Sequence, residues 1–283
     1  MSAYFGPGGN SDAFKRAGYS STIDAPRFIK EIGLDAYEYE AGNGLAASPA
    51  TLKAIGDNAR FYGVKMSFNT PYFISLSGIV EEKRLKSIDY IRQSLDAAKL
   101  LGADTIVIHC GSCAKITREE AICLASDTLS RTVESLDTYG IKLGIETMGK
   151  INQLGTLDEV IELCKISPKL VPVVDFGHLN ARDLGGVFVT ADDYRSVFDK
   201  IGSELGRDVA NNLHCHFSKI EWTSSGEKRH LTFADEVYGP DFEPLCEAIY
   251  REGLSPTIIC ESAGTQSDDA VSMKCTYTEL LRR

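Results

Sequence analysis

No apolar run in this 283-residue chain approaches the roughly 18 residues needed to span a bilayer, so no membrane helix is expected. The first ten residues, Met1 to Asn10, have neither a basic start nor an apolar centre, which argues against a secretory signal and for a cytoplasmic protein. Positive charge is also short, with 30 Lys and Arg against 40 Asp and Glu and a formal net charge of −10, which argues against a broad basic surface for nucleic acid. A cationic metal site inside a local groove could still bind phosphate on so acidic a protein. Nor is there a disulfide pattern: of eight cysteines, Cys110, Cys164, Cys215, Cys246 and Cys260 sit in or beside apolar runs, where free cysteine behaves as a small hydrophobe. Cys110 and Cys113 have redox or zinc spacing but no second such pair. No Ser/Gly-rich linker or change of composition divides the chain.

What is present is an alternation of short apolar runs with longer amphipathic stretches. The runs predict eight strands, at Ala3–Phe5, Ala36–Tyr39, Val64–Phe68, Thr105–His109, Leu143–Glu146, Val171–Asp175, Leu213–Phe217 and Thr257–Glu261. Helices are expected after Asp24 as a cap and up to Gly33, over Glu81–Leu101, Arg118–Tyr139, Leu157–Cys164 and Asp192–Leu205, and from Glu243 to Gly253. Eight unbroken strand–helix units favour a closed parallel (β/α)8 TIM barrel occupying the whole chain, 1–283, as a single domain. The segment from Ser218 to Val237 reads as a long irregular loop.

Four of the strand runs end on Glu146, Asp175, His216 or Glu261. Carboxyl ends of parallel barrel strands converge on one face, so three carboxylates and an imidazole would meet there as an oxygen-rich divalent-metal site suited to Mn²⁺, Mg²⁺, Co²⁺ or Zn²⁺. His109 ends the fourth strand and should face the same mouth, and His178, in the loop beyond the sixth strand, can reach it. His214 shares a face with His216 and reads as a deeper residue supporting it.

Together with Phe68 to Phe73, His109 to Ser112, His216 to Lys219, Lys228 to His230 and Cys260 to Ser262, these segments resemble the endonuclease IV family of apurinic endonucleases within the xylose isomerase-like barrels. The resemblance runs from about Tyr4 to Ser262. It implies a DNA-repair phosphodiesterase acting on abasic-site DNA with up to three metals, zinc first. Carried over, Glu146, Asp175, His216 and Glu261 match one complete site, with Glu146 and Glu261 as the catalytic carboxylates. His109 and Glu146 match two ligands of a second, where Asn69 stands in place of the usual histidine. His178 and His230 match two ligands of a third, where Lys228 stands in place of an aspartate.

The resemblance further places Tyr72 and Phe73 where the repair enzymes insert a wedge into DNA. The second strand, ending in Glu38-Tyr39-Glu40, lacks the arginine those enzymes carry nearby. Sugar isomerases and epimerases of the same superfamily need only the quartet around one ion, Mn, Co or Mg. In that alternative Glu146 and Glu261 exchange a proton beside the carbonyl of a small sugar, and Lys228, Arg229, His178 and His230 bind its hydroxyls or phosphate.

Overall fold

A computed structural model describes residues 3–282, so Met1 and Ser2 of the amino-terminal stretch lie outside the described residues. Ten strands form: β1 (Tyr4–Pro7), β2 (Ala36–Glu40), β3 (Lys65–Asn69), β4 (Thr105–His109), β5 (Lys142–Glu146), β6 (Leu170–Asp175), β7 (His214–Phe217), β8 (Ile220–Thr223), β9 (Gly226–His230) and β10 (Thr257–Cys260). Eight of them make one parallel sheet in the order β1-β10-β7-β6-β5-β4-β3-β2. The two ends of that order meet through a parallel bridge between Gly8 and Glu38 and a bond from Gly9 N to Glu38 O, 3.0 Å, which brings the sheet round into a barrel. The predicted TIM barrel is the observed fold.

Helices α1 (Asp12–Arg16), α2 (Ala25–Glu31), α3 (Pro49–Tyr62), α4 (Glu81–Leu101), α5 (Arg118–Ser135), α6 (Leu157–Cys164), α7 (Phe176–Arg182), α8 (Ala191–Leu205), α9 (Arg207–Asn211), α10 (Phe242–Glu252) and α11 (Gln266–Leu281) occupy the connections. Their starts are set locally. Thr117 with Glu120, Thr156 with Glu159 and Thr190 with Asp193 form reciprocal capping boxes at α5, α6 and α8, each satisfying backbone N–H groups that the first turn leaves unpaired. Asp24, the expected cap of α2, makes no side-chain capping bond, because Ser21 instead caps a 3₁₀ turn, Thr22–Asp24, that leads into the helix. Helix α5 stops at Ser135 rather than Tyr139, where Leu136 turns extended.

Outward-facing strand residues such as Ile106, Leu143, Ile145 and Ile258 are fully buried beneath the helices. Each such side chain contributes roughly 1.5–3 kcal/mol by leaving water. Phe242 of α10 meets Phe5 and Phe217 edge-on, with ring centroids 6.2 and 5.3 Å away, and ties β1 and β7 to the helical layer. No helix among the described residues is long and apolar enough to cross a membrane. All eight cysteines are free.

Two expectations about the mouth are corrected. The stretch Ser218 to Val237 is not one irregular loop, since β8 and β9 pair antiparallel within it. His178 lies not in a loop but in α7, which starts directly on β6 because the Asp175 side chain accepts from His178 N at 2.7 Å and caps the helix.

Candidate metal centre

Strand register assembles the quartet. His109 is paired with Glu146, Asp175 with His216, and His216 with Ile259, two residues before Glu261, so all four quartet side chains and His109 fall on the same face of the sheet. Glu146 and Asp175 do close their strands, whereas His216 is followed by Phe217 within β7 and Glu261 lies just past β10. One ligand atom from each of Glu146, Asp175, His216 and Glu261 lies within 4.8 Å of the others. His216 Nδ1 is 3.0 Å from Glu146 Oε1 and 3.3 Å from Glu261 Oε1.

A second group sits beside the first. His178, Glu227 and His230 also present ligand atoms within 4.8 Å of one another, His178 Nε2 being 3.5 Å and His230 Nε2 4.0 Å from the Glu227 carboxylate. Donation by His178 Nδ1–H to Thr147 O, 2.9 Å, leaves Nε2 of the neutral ring as the lone-pair nitrogen facing Glu227. His230 Nδ1 is 2.8 Å from Ser218 Oγ and 3.9 Å from Glu261 Oε2. Glu261 thus has one oxygen toward each group. Glu146 is divided likewise, with Oε1 toward His216 and Oε2 3.1 Å from His109 Nε2.

The residue that completes the second group is Glu227, not the expected position 228. In the hairpin Glu221 pairs with Arg229 and Trp222 with Glu227, leaving Lys228 as the extra residue of a β-bulge. The bulge resets the alternation, so Glu227 shares a face with His230 while Lys228 and Arg229 turn to Glu221, which accepts from both at 2.6 Å. The two cations expected to bind substrate are exposed, and both pair with the one Glu221 carboxylate. Holding Glu227 in place requires two close backbone approaches. Gly226, at φ +85°, passes so near Gly149 O that a Cβ would lie 2.2 Å from it, and a Cβ on Gly149 would meet Glu227 Cβ at 2.6 Å. Arg182 secures that segment by donating to the carbonyls of Met148, Lys150, Ile151 and Gln153, and Arg118 joins it at Ile151 and Gln153.

The buried charge needs compensation. Glu38, Glu146 and Asp175 are at most 1% exposed, and among these side chains only histidines stand opposite them. Burying several carboxylates without a cation costs far more than hydrogen bonds to neutral rings restore. Glu146 Oε2 and Asp175 Oδ2 have no hydrogen-bond donor, the His109 approach being off alignment, and Asn69 Oδ1 is equally without one. Orphaned carboxylate and amide oxygens beside imidazole rings are the donor set of a divalent cation, so the residues present fit one.

Without a cation, the protons redistribute. Burial pushes Glu261 up to about 7, His216 and His230 opposing. For Glu146 burial is outweighed by His216 and His109, which hold it well below the usual carboxylate range. For His178 burial is outweighed by Asp175 and Glu227, and the ring is raised to about 9. Glu40, at the end of β2, is raised well above its ordinary value by burial and by Glu38 and Glu261.

A cavity of about 440 Å³ opens beside these groups, walled by Glu40, Tyr72, His230, Glu261 and Gln266. Tyr72 is 60% exposed yet stacked on His109 with centroids 5.5 Å apart, and Phe73, 51% exposed, meets Tyr90 edge-on. Both lie on the loop after β3. Glu38, Glu40 and Glu227 escape a reading of apolar run ends. The available signal was alternation, since Glu38 and Glu40 repeat the two-residue spacing of His214 and His216.

A parallel barrel with carboxylates and imidazoles gathered at the carboxyl ends of its strands defines the class of protein. The chain belongs to the xylose isomerase-like TIM barrel family, whose model matches residues 26–275. An uncharacterized protein of Methanocaldococcus jannaschii is 29% identical over 261 residues, 89% of this chain and 90% of that one. A probable endonuclease 4 of Acholeplasma laidlawii is 27% identical over 190 residues, 66% of this chain and 63% of the relative, so the match spans less than two-thirds of the latter's length. Among solved structures, a D-tagatose 3-epimerase-like protein superposes with a TM-score of 0.73 at 22% identity, covering 99% of this chain and 97% of that one. Endonuclease IV of Thermus thermophilus superposes with a TM-score of 0.68 at 18% identity, covering 99% of both. At those identities the superpositions establish the fold alone.

Proposed function

We propose that the chain is a divalent-metal-dependent phosphodiesterase that cleaves DNA at abasic sites. The observation that carries this reading is the second ligand group, His178, Glu227 and His230, placed against the quartet with Glu261 turned to both. Hydrolysis of a phosphodiester must offset charge on the attacking and leaving oxygens together, and adjacent divalent ions, when bound, supply that charge and lower the pKa of water. Glu146, Asp175, His216 and Glu261 would hold one ion and His178, Glu227 and His230 another, while His109 with Glu146 and the free Asn69 oxygen offers a third position. Zinc suits the imidazole-rich groups. Tyr72, stacked on His109, and the exposed Phe73 next to it in sequence would meet the DNA at the gap left by the missing base. Similarity to probable endonuclease 4 proteins supports the same assignment.

The test is cleavage of a duplex with one abasic site by zinc-loaded protein. Cleavage beside that site, lost in Glu146→Gln, is expected, and an intact duplex with zinc, manganese, cobalt and magnesium alike would refute the reading.

The 440 Å³ cavity favours a second reading, since its volume lies in the range of small-ligand sites and its wall includes Glu261. In a sugar epimerase Glu146 and Glu261 would exchange the proton next to a carbonyl from opposite faces. Deuterium entering a ketose from solvent, with abasic DNA left intact, would establish that alternative.

A further inference from the structure

We infer that Glu38 is a positioning residue that fixes which nitrogen of His216 is presented to the metal centre. Glu38 stands on β2, fully buried in the barrel interior, on the opposite side of the His216 ring from the quartet. Its Oε2 accepts from Ser67 Oγ at 2.7 Å and pairs with His214 Nε2 at 2.9 Å. These two partners, from β3 and β7, hold one oxygen of the carboxylate and so set the plane of the other. That other oxygen, Oε1, lies 2.8 Å from His216 Nε2. Neither Glu38 Oε1 nor His216 Nε2 has a hydrogen-bond partner of its own among the described residues, so each is the other's available counterpart at close range.

The consequence follows from imidazole chemistry. A neutral ring carries one N–H and one lone pair, and a carboxylate against Nε2 draws the proton there. Nδ1, which faces Glu146 and Glu261, is then left as the lone-pair nitrogen, the form a cation requires. Nδ1 also meets Glu146 Oε1 in a hydrogen-bonding contact at 3.0 Å, so a proton left there closes the quartet to an ion, and Glu38 is the group placed to draw it to Nε2 instead. A fully buried carboxylate outside the quartet is otherwise an unexplained cost. Glu38, Ser67 and His214 together support the ligand from behind.

This inference rests on the metal-centre part of the proposed function and on no substrate, so its test needs none. Zinc affinity is measured by competition with a chromophoric chelator for wild type and Glu38→Gln, alongside the melting temperature of each metal-free protein. The quartet affinity is expected to fall about 10- to 100-fold in Glu38→Gln, the size of loss seen when such outer partners are removed, with the metal-free melting temperature little changed. Equal zinc affinity in the two proteins would overturn the inference while leaving the metal centre intact, and failure of wild type to bind zinc would overturn both. Should Glu38→Gln not fold, nitrogen-15 shifts of His216 in zinc-loaded wild type decide. A protonated Nε2 with zinc on Nδ1 is expected, and zinc on Nε2 would refute the assignment.

Discussion

Replacing Gly149 by alanine probes the means by which the second ligand group is built. The added methyl would lie 2.6 Å from Glu227 Cβ, 2.8 Å from its Oε2 and 3.1 Å from His178 Cδ2. Ordinary contact begins near 3.4 Å, so roughly an ångström must be found. It cannot come from a rotamer change, because the first clash is with Cβ and Glu227 N donates to Gly149 O at 3.0 Å. The hairpin or the Arg182-bound segment has to move. Overpacking of this kind costs about 1–3 kcal/mol. At about 2–4 °C per kcal/mol for a chain of this size class, the metal-free protein should melt roughly 2–12 °C lower. Glu227 would also leave the reach of His178 and His230, so metal bound per chain, measured by native mass spectrometry after zinc loading, should fall by one. An unchanged melting temperature with unchanged stoichiometry would refute both the packing argument and the role of Glu227.

Further outcomes follow from the same contacts. Lys228→Ala removes an exposed cation paired with Glu221 and should shift stability by no more than about 0.5 kcal/mol with zinc stoichiometry intact; loss of an ion would return Lys228 to the site. Arg182→Ala leaves Met148 O without its donor and takes one donor each from Lys150, Ile151 and Gln153, which keep Gln153 N or Arg118, and should cost about 1–3 kcal/mol by urea denaturation, a loss under about 0.5 kcal/mol contradicting the clamp. In metal-free protein Glu261 binds its proton more tightly folded than unfolded, a contribution complete below its ordinary 4.5 and lost as pH rises through about 7. His178 adds one complete below 6.5 and lost through about 9. Urea midpoints should therefore fall from pH 5 to pH 8.5 in chelator and fall less, or rise, with zinc, whose ligands must be deprotonated. A chelated protein more stable at pH 8.5 would contradict these shifts.

Most of the barrel was legible because a buried parallel strand must be apolar and its carboxyl end must stop at a polar residue, as at Glu146 and Asp175. The (β/α)8 pattern carried from those runs to the observed sheet order. Glu227 was not legible for a geometric reason. In an unbroken strand positions 228 and 230 share a face, so Lys228 stood where a ligand belonged until the bulge reversed the alternation. The hairpin itself was hidden by its charge, since Gly226 to His230 offers no apolar residue to mark a strand. Glu38 was missed because a carboxylate within a strand is read by its neighbours, and its partners Ser67, His214 and His216 come from 29 and more residues away. His178 was placed at the site but in a loop, the capping role of Asp175 being invisible when Asp175 is read only as a ligand.

The central claim is that two adjacent ligand groups, and not the quartet alone, make this centre. Anomalous scattering from zinc-loaded crystals counts the ions directly. At least two per chain are expected, one within Glu146, Asp175, His216 and Glu261 and one among His178, Glu227 and His230, the second absent in Glu227→Ala. A single ion confined to the quartet in fully loaded wild-type protein would contradict the account and leave the sugar epimerase reading in its place.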